Sequence, residues 1–123
     1  MMYINAGHPP ILFLSRTGDT HYLRCNNPAV GWGLELGYEQ QTVEIEPGDR
    51  VCLYSDGITE ATNANGEQYG EDQLAALVSP GTRTSVDDTA KSIIPDVQNW
   101  CQPDKPADDC CVLVMERTRN AVE

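Results

Sequence analysis

The most informative stretch of this chain is VCLYSDGITEATNANGEQYG, at residues 51–70. With the arginine before it, the opening of this stretch forms a mostly apolar run at 50–55, which predicts a buried central strand. The pair Asp56-Gly57 interrupts that pattern, and a polar loop is expected over 56–69. The sequence thus places a carboxylate at the point where a buried strand ends.

Further strand patterns precede this stretch. Thr17-Gly18-Asp19 is typical of a tight turn, and it predicts a hairpin between an apolar run and its return strand. Pro47-Gly48-Asp49 is a second turn, and it predicts that 41–46 and 50–55 pair as a hairpin. The strands expected in this part of the chain are 3–6, 11–15, 21–25 and 41–46.

Two helices are predicted after the polar loop. Residues 71–78 suit a helix, and Ser85 with Asp88 forms a capping pattern for a second helix that reaches Trp100. Pro95 lies inside the second helical pattern and should kink or split that helix.

The last predicted strand is 110–115, an apolar run with Asp108 and Asp109 at its entrance. The chain therefore consists of strands, two helices and a final strand, with no helix between the early strands. This order argues against a doubly wound parallel sheet. It predicts one α+β domain over residues 1–123, built on a layered antiparallel sheet.

The balance of charges narrows the range of partners. The 123 residues include 19 acidic and 8 basic ones, which gives a net charge of −11. This excess argues against a nucleic acid or an anionic membrane as partner and is compatible with divalent cations. A solvated acidic surface is the simplest interpretation of the charge.

The cysteines indicate a reducing compartment. The chain has 5 of them, none forms a CxxC pair, and no signal peptide precedes them. We therefore expect a cytoplasmic protein without a zinc or thioredoxin-like site. Cys52, Cys110 and Cys111 fall in apolar runs and are expected to be small core residues.

Asp56 and Asp108 are the candidate metal ligands. If strands 50–55 and 110–115 are antiparallel neighbours, the end of one lies beside the start of the other, and the two carboxylates meet at one sheet edge. Carboxylates forced together repel unless they are protonated or bridged by a cation. A hard divalent ion such as Mg²⁺ or Mn²⁺, held by carboxylates and waters, resolves this repulsion.

Other interpretations of these residues stay open. Asp-Gly is also a common turn and Asp-Asp a common solvated loop end. A calcium loop in 56–67 lacks the spaced aspartates that such loops need. His8 could act as a base or a ligand, but the two prolines after it favour a turn at a strand entry. The sequence contains no Ser-His-Asp order and no phosphate-binding glycine loop before a helix.

Three stretches together resemble a known family: NAGHPP at 5–10, PGDRVCLYSDGITEATNANGEQYGEDQL at 47–74, and ADDCCVLVMER at 107–117. In this order they resemble the metal-dependent protein phosphatases of the 2C superfamily. The branch they resemble is the bacterial one of sporulation stage II protein E and the stress sigma-factor regulatory phosphatases. The resemblance extends over nearly the whole chain.

This resemblance implies two antiparallel sheets packed face to face with helices outside, and a binuclear Mn²⁺ or Mg²⁺ centre at one end of the sandwich. It implies hydrolysis of phosphoserine or phosphothreonine by a metal-activated water, without a catalytic side chain or a phosphoenzyme. The implied partner is a phosphorylated regulatory protein, such as an anti-sigma-factor antagonist.

Residue by residue, the resemblance implies that Asp56 and Asp108 are metal ligands. It implies that Asp109 supports the site rather than ligating the metal, and that Gly57 lets the chain turn away from the sheet edge. Cys111 stands where the family usually has threonine, which we interpret as a tolerated packing change.

The family's first ligand aspartate has no counterpart in the pattern. It belongs to a Gly-Asp motif expected before NAGHPP, whereas Gly18-Asp19 falls after that stretch. The resemblance therefore predicts the C-terminal portion of a phosphatase domain, with the N-terminal part missing and metal binding weakened. Such a chain could be a fragment, a homodimer that covers the missing strands, or a natural short variant used for binding.

Two functional hypotheses follow. The first is a fragment of a serine/threonine phosphatase domain whose intact form is catalytic. The second is a non-catalytic, phosphatase-like module that binds a protein partner. The presence of both Asp56 and Asp108 favours the first, because binding alone does not require them. An unrelated α+β domain with coincidental turns is the remaining alternative.

Overall fold

The structure, a computed structural model, describes residues 1–24, 27–32, 37–82 and 84–119. The strands are β1 (Met2–Tyr3), β2 (Ile11–Leu14), β3 (Thr20–Leu23), β4 (Gln41–Thr42), β5 (Arg50–Tyr54) and β6 (Val112–Glu116). The helices are α1 (Asp56–Thr59), α2 (Gly70–Val78) and α3 (Val86–Trp100), with a 3₁₀ turn at Pro80–Thr82.

The strands form two antiparallel sheets in the described part of the chain. β1 pairs with β4, and the larger sheet has the order β3-β2-β5-β6. β5 is an inner strand, with Arg50 opposite Glu116 and Tyr54 opposite Val112 on β6. The α+β fold class is confirmed, and so is the antiparallel contact between the two strands that lead to the candidate ligands.

The hairpin predicted between 41–46 and 50–55 is wrong. In the first of these segments the strand is confined to Gln41–Thr42, which pairs with Met2–Tyr3 in the smaller sheet. A strand has two edges, and β2 and β6 already occupy both edges of β5. β4 therefore has no place beside β5, although the chain does turn just before β5 begins.

The β2–β3 hairpin is confirmed. Gly18 adopts a φ of 100° in its turn, a value that glycine reaches without steric strain. The turn before β5 is tied to this hairpin by one carboxylate. Asp49 accepts hydrogen bonds from the backbone N–H of Arg16 at 2.7 Å and of Glu46 at 2.6 Å.

The two long helices are also confirmed. Ser85 caps α3 as predicted, because its hydroxyl accepts a hydrogen bond from the Asp88 N–H at 3.1 Å. Pro95 does not split α3, which runs without interruption from Val86 to Trp100. Buried Ile93 and Val97 anchor the helix on both sides of the proline. No helix within the described ranges is long and apolar enough to cross a bilayer.

The main core lies between one face of the larger sheet and the helices. The sheet contributes inward-facing residues of β2 and β5, and α2 and α3 cover them. Its most deeply buried members include Leu12, Leu14, Cys52, Tyr54, Ile58, Leu74, Val78, Ile93 and Val97. This packing fixes the end of β5 and the start of α1, which together carry the candidate site.

A smaller apolar cluster covers part of the opposite face of the sheet. Ile11, Phe13 and Val51 are buried there, and half-buried residues of β1 and of the segment after β4 pack against them. The β6 part of this face is open, because Leu113 is 51% exposed and Met115 is 41% exposed.

Candidate metal centre

Two chain segments, 55–57 and 108–111, lie side by side at one end of the larger sheet. Beyond the last residue pair of β5 and β6, the Ser55 N–H donates to the Cys111 carbonyl at 2.9 Å. The segments that carry the two candidate ligands are therefore neighbours, as expected for antiparallel strands.

The hydroxyl of Ser55 strengthens this contact. It donates to the Asp109 carbonyl at 2.8 Å and accepts from the Cys111 N–H at 2.9 Å. A side chain thus continues the hydrogen-bond ladder after β5 has ended. The sequence analysis gave Ser55 no function, although a small hydroxyl residue at a strand end often bonds to nearby backbone.

Gly57 allows the two segments to touch. A Cβ atom at this position would lie 2.4 Å from the Asp109 carbonyl oxygen and 3.2 Å from the Asp108 carbonyl carbon. The Cys110 thiol also donates to the Gly57 carbonyl at 3.3 Å. Gly57 lies in the first turn of α1, where the chain has left the sheet, and its missing side chain provides the space for this contact. The predicted loop at 56–69 accordingly begins with this short helix.

The candidate ligands differ in what already contacts them. Asp56 is exposed, and Asp108, also exposed, accepts a hydrogen bond on Oδ1 from the Asp109 N–H at 2.7 Å. Asp109 contributes to the site through its main chain, by way of the Ser55 contact. Carboxylate oxygens suit Mg²⁺ or Mn²⁺, which keep several waters as ligands. Across the described ranges, no group of three or more His, Cys, Asp or Glu residues is placed to hold a metal ion.

Two neighbouring grooves flank the contact between the segments. The first measures about 350 Å³ and is lined by Gly7, His8, Pro9, Leu53, Tyr54, Ser55, Asp56, Cys111 and Leu113. The second measures about 270 Å³ and is lined by Gly57, Glu60, Ala61, Ala107 and Asp108. The two candidate ligands thus line adjacent grooves rather than a single cavity.

Burial changes the pKa of thiols in this part of the sheet. It raises the pKa of the Cys110 thiol, and the charges of Cys101, Asp108 and Asp109 raise it further. Cys52 is fully buried in the core, which confirms the prediction for this thiol, and burial raises its pKa to about 12. The same prediction is wrong for Cys111, which is exposed and alternates with Leu113 and Met115 on the open face of β6.

Solved structures identify the fold. The SiaA-PP2C domain of Pseudomonas aeruginosa superposes with a TM-score of 0.77 at 18% identity, over 94% of this chain and 45% of that one. The PP2C phosphatase domain of SpoIIE from Bacillus subtilis gives 0.76 at 18% identity, over 94% and 33%. A manganese-presoaked structure of the SpoIIE phosphatase domain gives 0.68 at 15% identity, over 99% and 52%. The fold is that of PP2C-type phosphatase domains.

The chain belongs to the Stage II sporulation protein E (SpoIIE) family, whose family model matches residues 1–118. Protein IcfG of Synechocystis is 35% identical over 74 residues, which are 60% of this chain and 12% of IcfG. The phosphoserine phosphatases RsbP and RsbU of Bacillus subtilis are 25% and 29% identical over 93% and 94% of this chain. The chain spans 27% of RsbP and 34% of RsbU.

Proposed function

We propose that this chain is the C-terminal portion of a metal-dependent serine/threonine protein phosphatase domain. The observation that carries the proposal is the close contact of Gly57 with the backbone of residues 108–109, which holds the segments of Asp56 and Asp108 together. Membership of the SpoIIE family and the likeness to two phosphoserine phosphatases support it.

Asp56 and Asp108 are the residues that would hold Mn²⁺ or Mg²⁺. A bound divalent cation lowers the pKa of its water and neutralises charge on the phosphoryl group. Two carboxylates leave further coordination positions to waters and other donors. The manganese presoak of a related phosphatase domain supports this choice of metal.

The other residues of the site position these two carboxylates. The Ser55 hydroxyl bridges to the main chain of Asp109 and Cys111, and Gly57 leaves room for that chain to come close. Attack by a bound water depends on the placement of the reacting groups to within a fraction of an ångström. Asp109 and Gly57 thus affect the distance between the carboxylates of Asp56 and Asp108.

The substrate class we propose is a phosphoserine or phosphothreonine on a regulatory protein, such as an anti-sigma-factor antagonist. The resemblance to the sigma-factor regulatory phosphatases supports this class, and so do the names of RsbP and RsbU. The net charge of −11 makes a nucleic-acid substrate unfavourable. A cytoplasmic location fits both this substrate and the free cysteines.

The proposal is tested by manganese-dependent hydrolysis of a phosphoserine peptide by the full-length protein. Replacing Asp56 with Asn keeps the size of the side chain and removes the charge that would bind the cation. We expect the rate to fall by at least about 100-fold. Asp87→Asn is the matched control, since Asp87 is exposed in the first turn of α3 and pairs with Lys91 away from the grooves.

Undiminished hydrolysis by Asp56→Asn would remove Asp56 from the metal site. A folded wild-type protein that hydrolyses no phosphopeptide at any manganese concentration would instead support the second hypothesis, a non-catalytic protein-binding module.

A further inference from the structure

His8 lines the groove beside Asp56 and has no part in the proposed metal centre. Its side chain is exposed, and the groove it shares with Asp56 and Ser55 measures about 350 Å³. A single water takes up roughly 30 Å³ of liquid. The groove is therefore much larger than one ion and its nearest waters need.

The imidazole of His8 is held in one orientation although it is exposed. Its Nδ1 lies 2.8 Å from the Pro9 carbonyl oxygen, and Nδ1 must be the donor because a carbonyl oxygen carries no proton. The ring also packs edge-on against Tyr54, with centroids 6.3 Å apart at an interplanar angle of 73°. Two contacts thus fix a side chain that would otherwise rotate freely in water.

Asn5 fixes the backbone that carries this ring. It is only 3% exposed, its Oδ1 accepts from the His8 N–H at 2.9 Å, and its Nδ2 donates to the Pro9 carbonyl at 3.2 Å. The predicted turn at His8 is therefore present, and the same turn presents an oriented imidazole to the groove. An oriented donor binds a ligand with less loss of conformational entropy.

The free nitrogen of His8 is Nε2. Within the described residues it has no hydrogen-bond partner, whereas Nδ1 is occupied by Pro9. His8 is also the one basic side chain that lines this groove, since the other ionisable groups there are a carboxylate, a thiol and a phenol. It is therefore the lining side chain best suited to a hydrogen bond with a phosphomonoester.

We propose that His8 contacts the substrate in the phosphatase reaction, with Nε2 hydrogen-bonded to a phosphoryl oxygen of the phosphoserine or phosphothreonine. The proposal rests on the proposed function, because it places the phosphomonoester in the groove beside Asp56. Nδ1 keeps its hydrogen bond to the Pro9 carbonyl, so Nε2 is the ring atom that faces the phosphoryl group. His8 forms and breaks no covalent bond in this arrangement, and its contribution is to binding.

A different use of the same geometry is metal ligation. Histidines that bind metals often donate their second ring N–H to a backbone carbonyl, as His8 does to Pro9. The size of the groove and its lack of any other cationic side chain favour the phosphomonoester. The experiments below separate the two, because the metal alone is added before any phosphate.

The first experiment is steady-state hydrolysis of a phosphoserine peptide by the full-length protein with Mg²⁺. His8→Ala should raise KM by roughly tenfold or more, since a charge-assisted hydrogen bond is lost, while kcat changes less. His8→Gln keeps an N–H donor in a similar position without the charge, so it should recover part of the loss. His21→Ala is the matched control, because His21 packs against Phe13 in the β2–β3 hairpin.

The second experiment does not depend on turnover. The imidazole resonances of His8 and His21 in the full-length protein are followed by NMR and are assigned by their loss in His8→Ala and His21→Ala. Mg²⁺ is added first, then phosphoserine, with serine as the negative control. We expect the His8 signals to shift saturably with phosphoserine, and the His21 signals to stay in place.

Several outcomes would overturn the proposal. An unchanged KM for His8→Ala would do so, as would a full shift of the His8 signals with Mg²⁺ alone, which would make His8 a metal ligand. Equal shifts of His8 and His21 would indicate nonspecific binding. If Asp56→Asn abolishes hydrolysis while His8→Ala leaves KM unchanged, this inference is refuted and the proposed function stands. A specific His8 shift with phosphoserine in a protein that hydrolyses no phosphopeptide would overturn both the proposed function and this inference, because His8 would then bind phosphate without the reaction assigned to it.

Discussion

The strand β5 begins with the charged residue Arg50 and is followed, two residues after it ends, by the charged residue Asp56, and these two ends are built in opposite ways. At its start, Arg50 is 3% exposed and pairs with Glu116 at 2.7 Å. The same guanidinium donates to the Val78 carbonyl at 3.1 Å, the Thr84 carbonyl at 2.6 Å and the Thr89 hydroxyl at 3.3 Å. This cation joins β5 to β6 and to the α2–α3 connection, and its donors are directed at protein groups.

At the other end, Asp56 is exposed, and no partner for its carboxylate is present in the described part of the chain. Here the backbone is tightly held and the side chain is not, because Ser55 and Gly57 make the contacts on either side of it. The difference suggests how a charge that stabilises the fold can be told from a charge that is available to a ligand. A charge surrounded by internal donors and acceptors stabilises the fold, whereas an accessible charge on a fixed backbone is available to a ligand.

The largest effect on stability is expected for Arg50→Met. The substitution leaves the Val78 and Thr84 carbonyls without their buried donor and Glu116 without its cation, so we expect a loss of about 3 kcal/mol in the free energy of unfolding. Urea denaturation measures it. Arg16→Met is the control, because the Arg16 side chain is 56% exposed and its nearest approach to Glu46 is a long 4.0 Å. This substitution should change the free energy of unfolding by less than about 0.5 kcal/mol. Equal losses for the two variants would contradict the structural function of Arg50.

A smaller loss is expected for Gly57→Ala. The added Cβ would overlap the Asp109 carbonyl oxygen, so the 108–109 backbone must move, at a cost of about 2 kcal/mol. Phosphatase activity should fall with it, because the spacing of the ligands changes. Gly37→Ala is the control, as a Cβ there meets no atom within 4 Å. A Gly57→Ala protein with wild-type stability would show that the two segments are less tightly packed than described.

The smallest effect is expected for Asp56→Asn. An exposed carboxylate without internal partners contributes little to folding, so the free energy of unfolding should change by less than about 0.5 kcal/mol. Thermal or urea unfolding checks this on the same protein that is assayed for hydrolysis. A loss above about 1.5 kcal/mol would mean that Asp56 also supports the fold. The contrast between the two ends of β5 would then be weaker than the structure indicates.

Local signals predicted much of the fold. The β2–β3 hairpin followed from its turn residues, and the start of α3 from Ser85 and Asp88, since each of these features depends on a few adjacent residues. The strand that pairs with 41–46 could not be predicted from adjacent residues, because pairing depends on which strand edges are free in the whole sheet. The sequence favoured its nearest neighbour, whereas β2 and β6 had already taken both edges.

The candidate site was predictable in part for the same reason. Asp56 and Asp108 could be identified because each lies next to an apolar strand, where a carboxylate is conspicuous. The contact of Gly57 with residues 108–109 could not, because it depends on a distance between chain segments remote in sequence. Nor could the exposure of Cys111, because an apolar run does not reveal which face of its strand is left uncovered.

The Ser55 hydroxyl, finally, restricts which amino acids this position tolerates. It donates to one main-chain group and accepts from another, so its replacement must supply a hydroxyl at the β-carbon. Threonine does so. Alanine, valine and cysteine lack that oxygen and would leave the Asp109 carbonyl and the Cys111 amide unbridged. One oxygen atom that belongs to neither aspartate thus helps to set the separation between them.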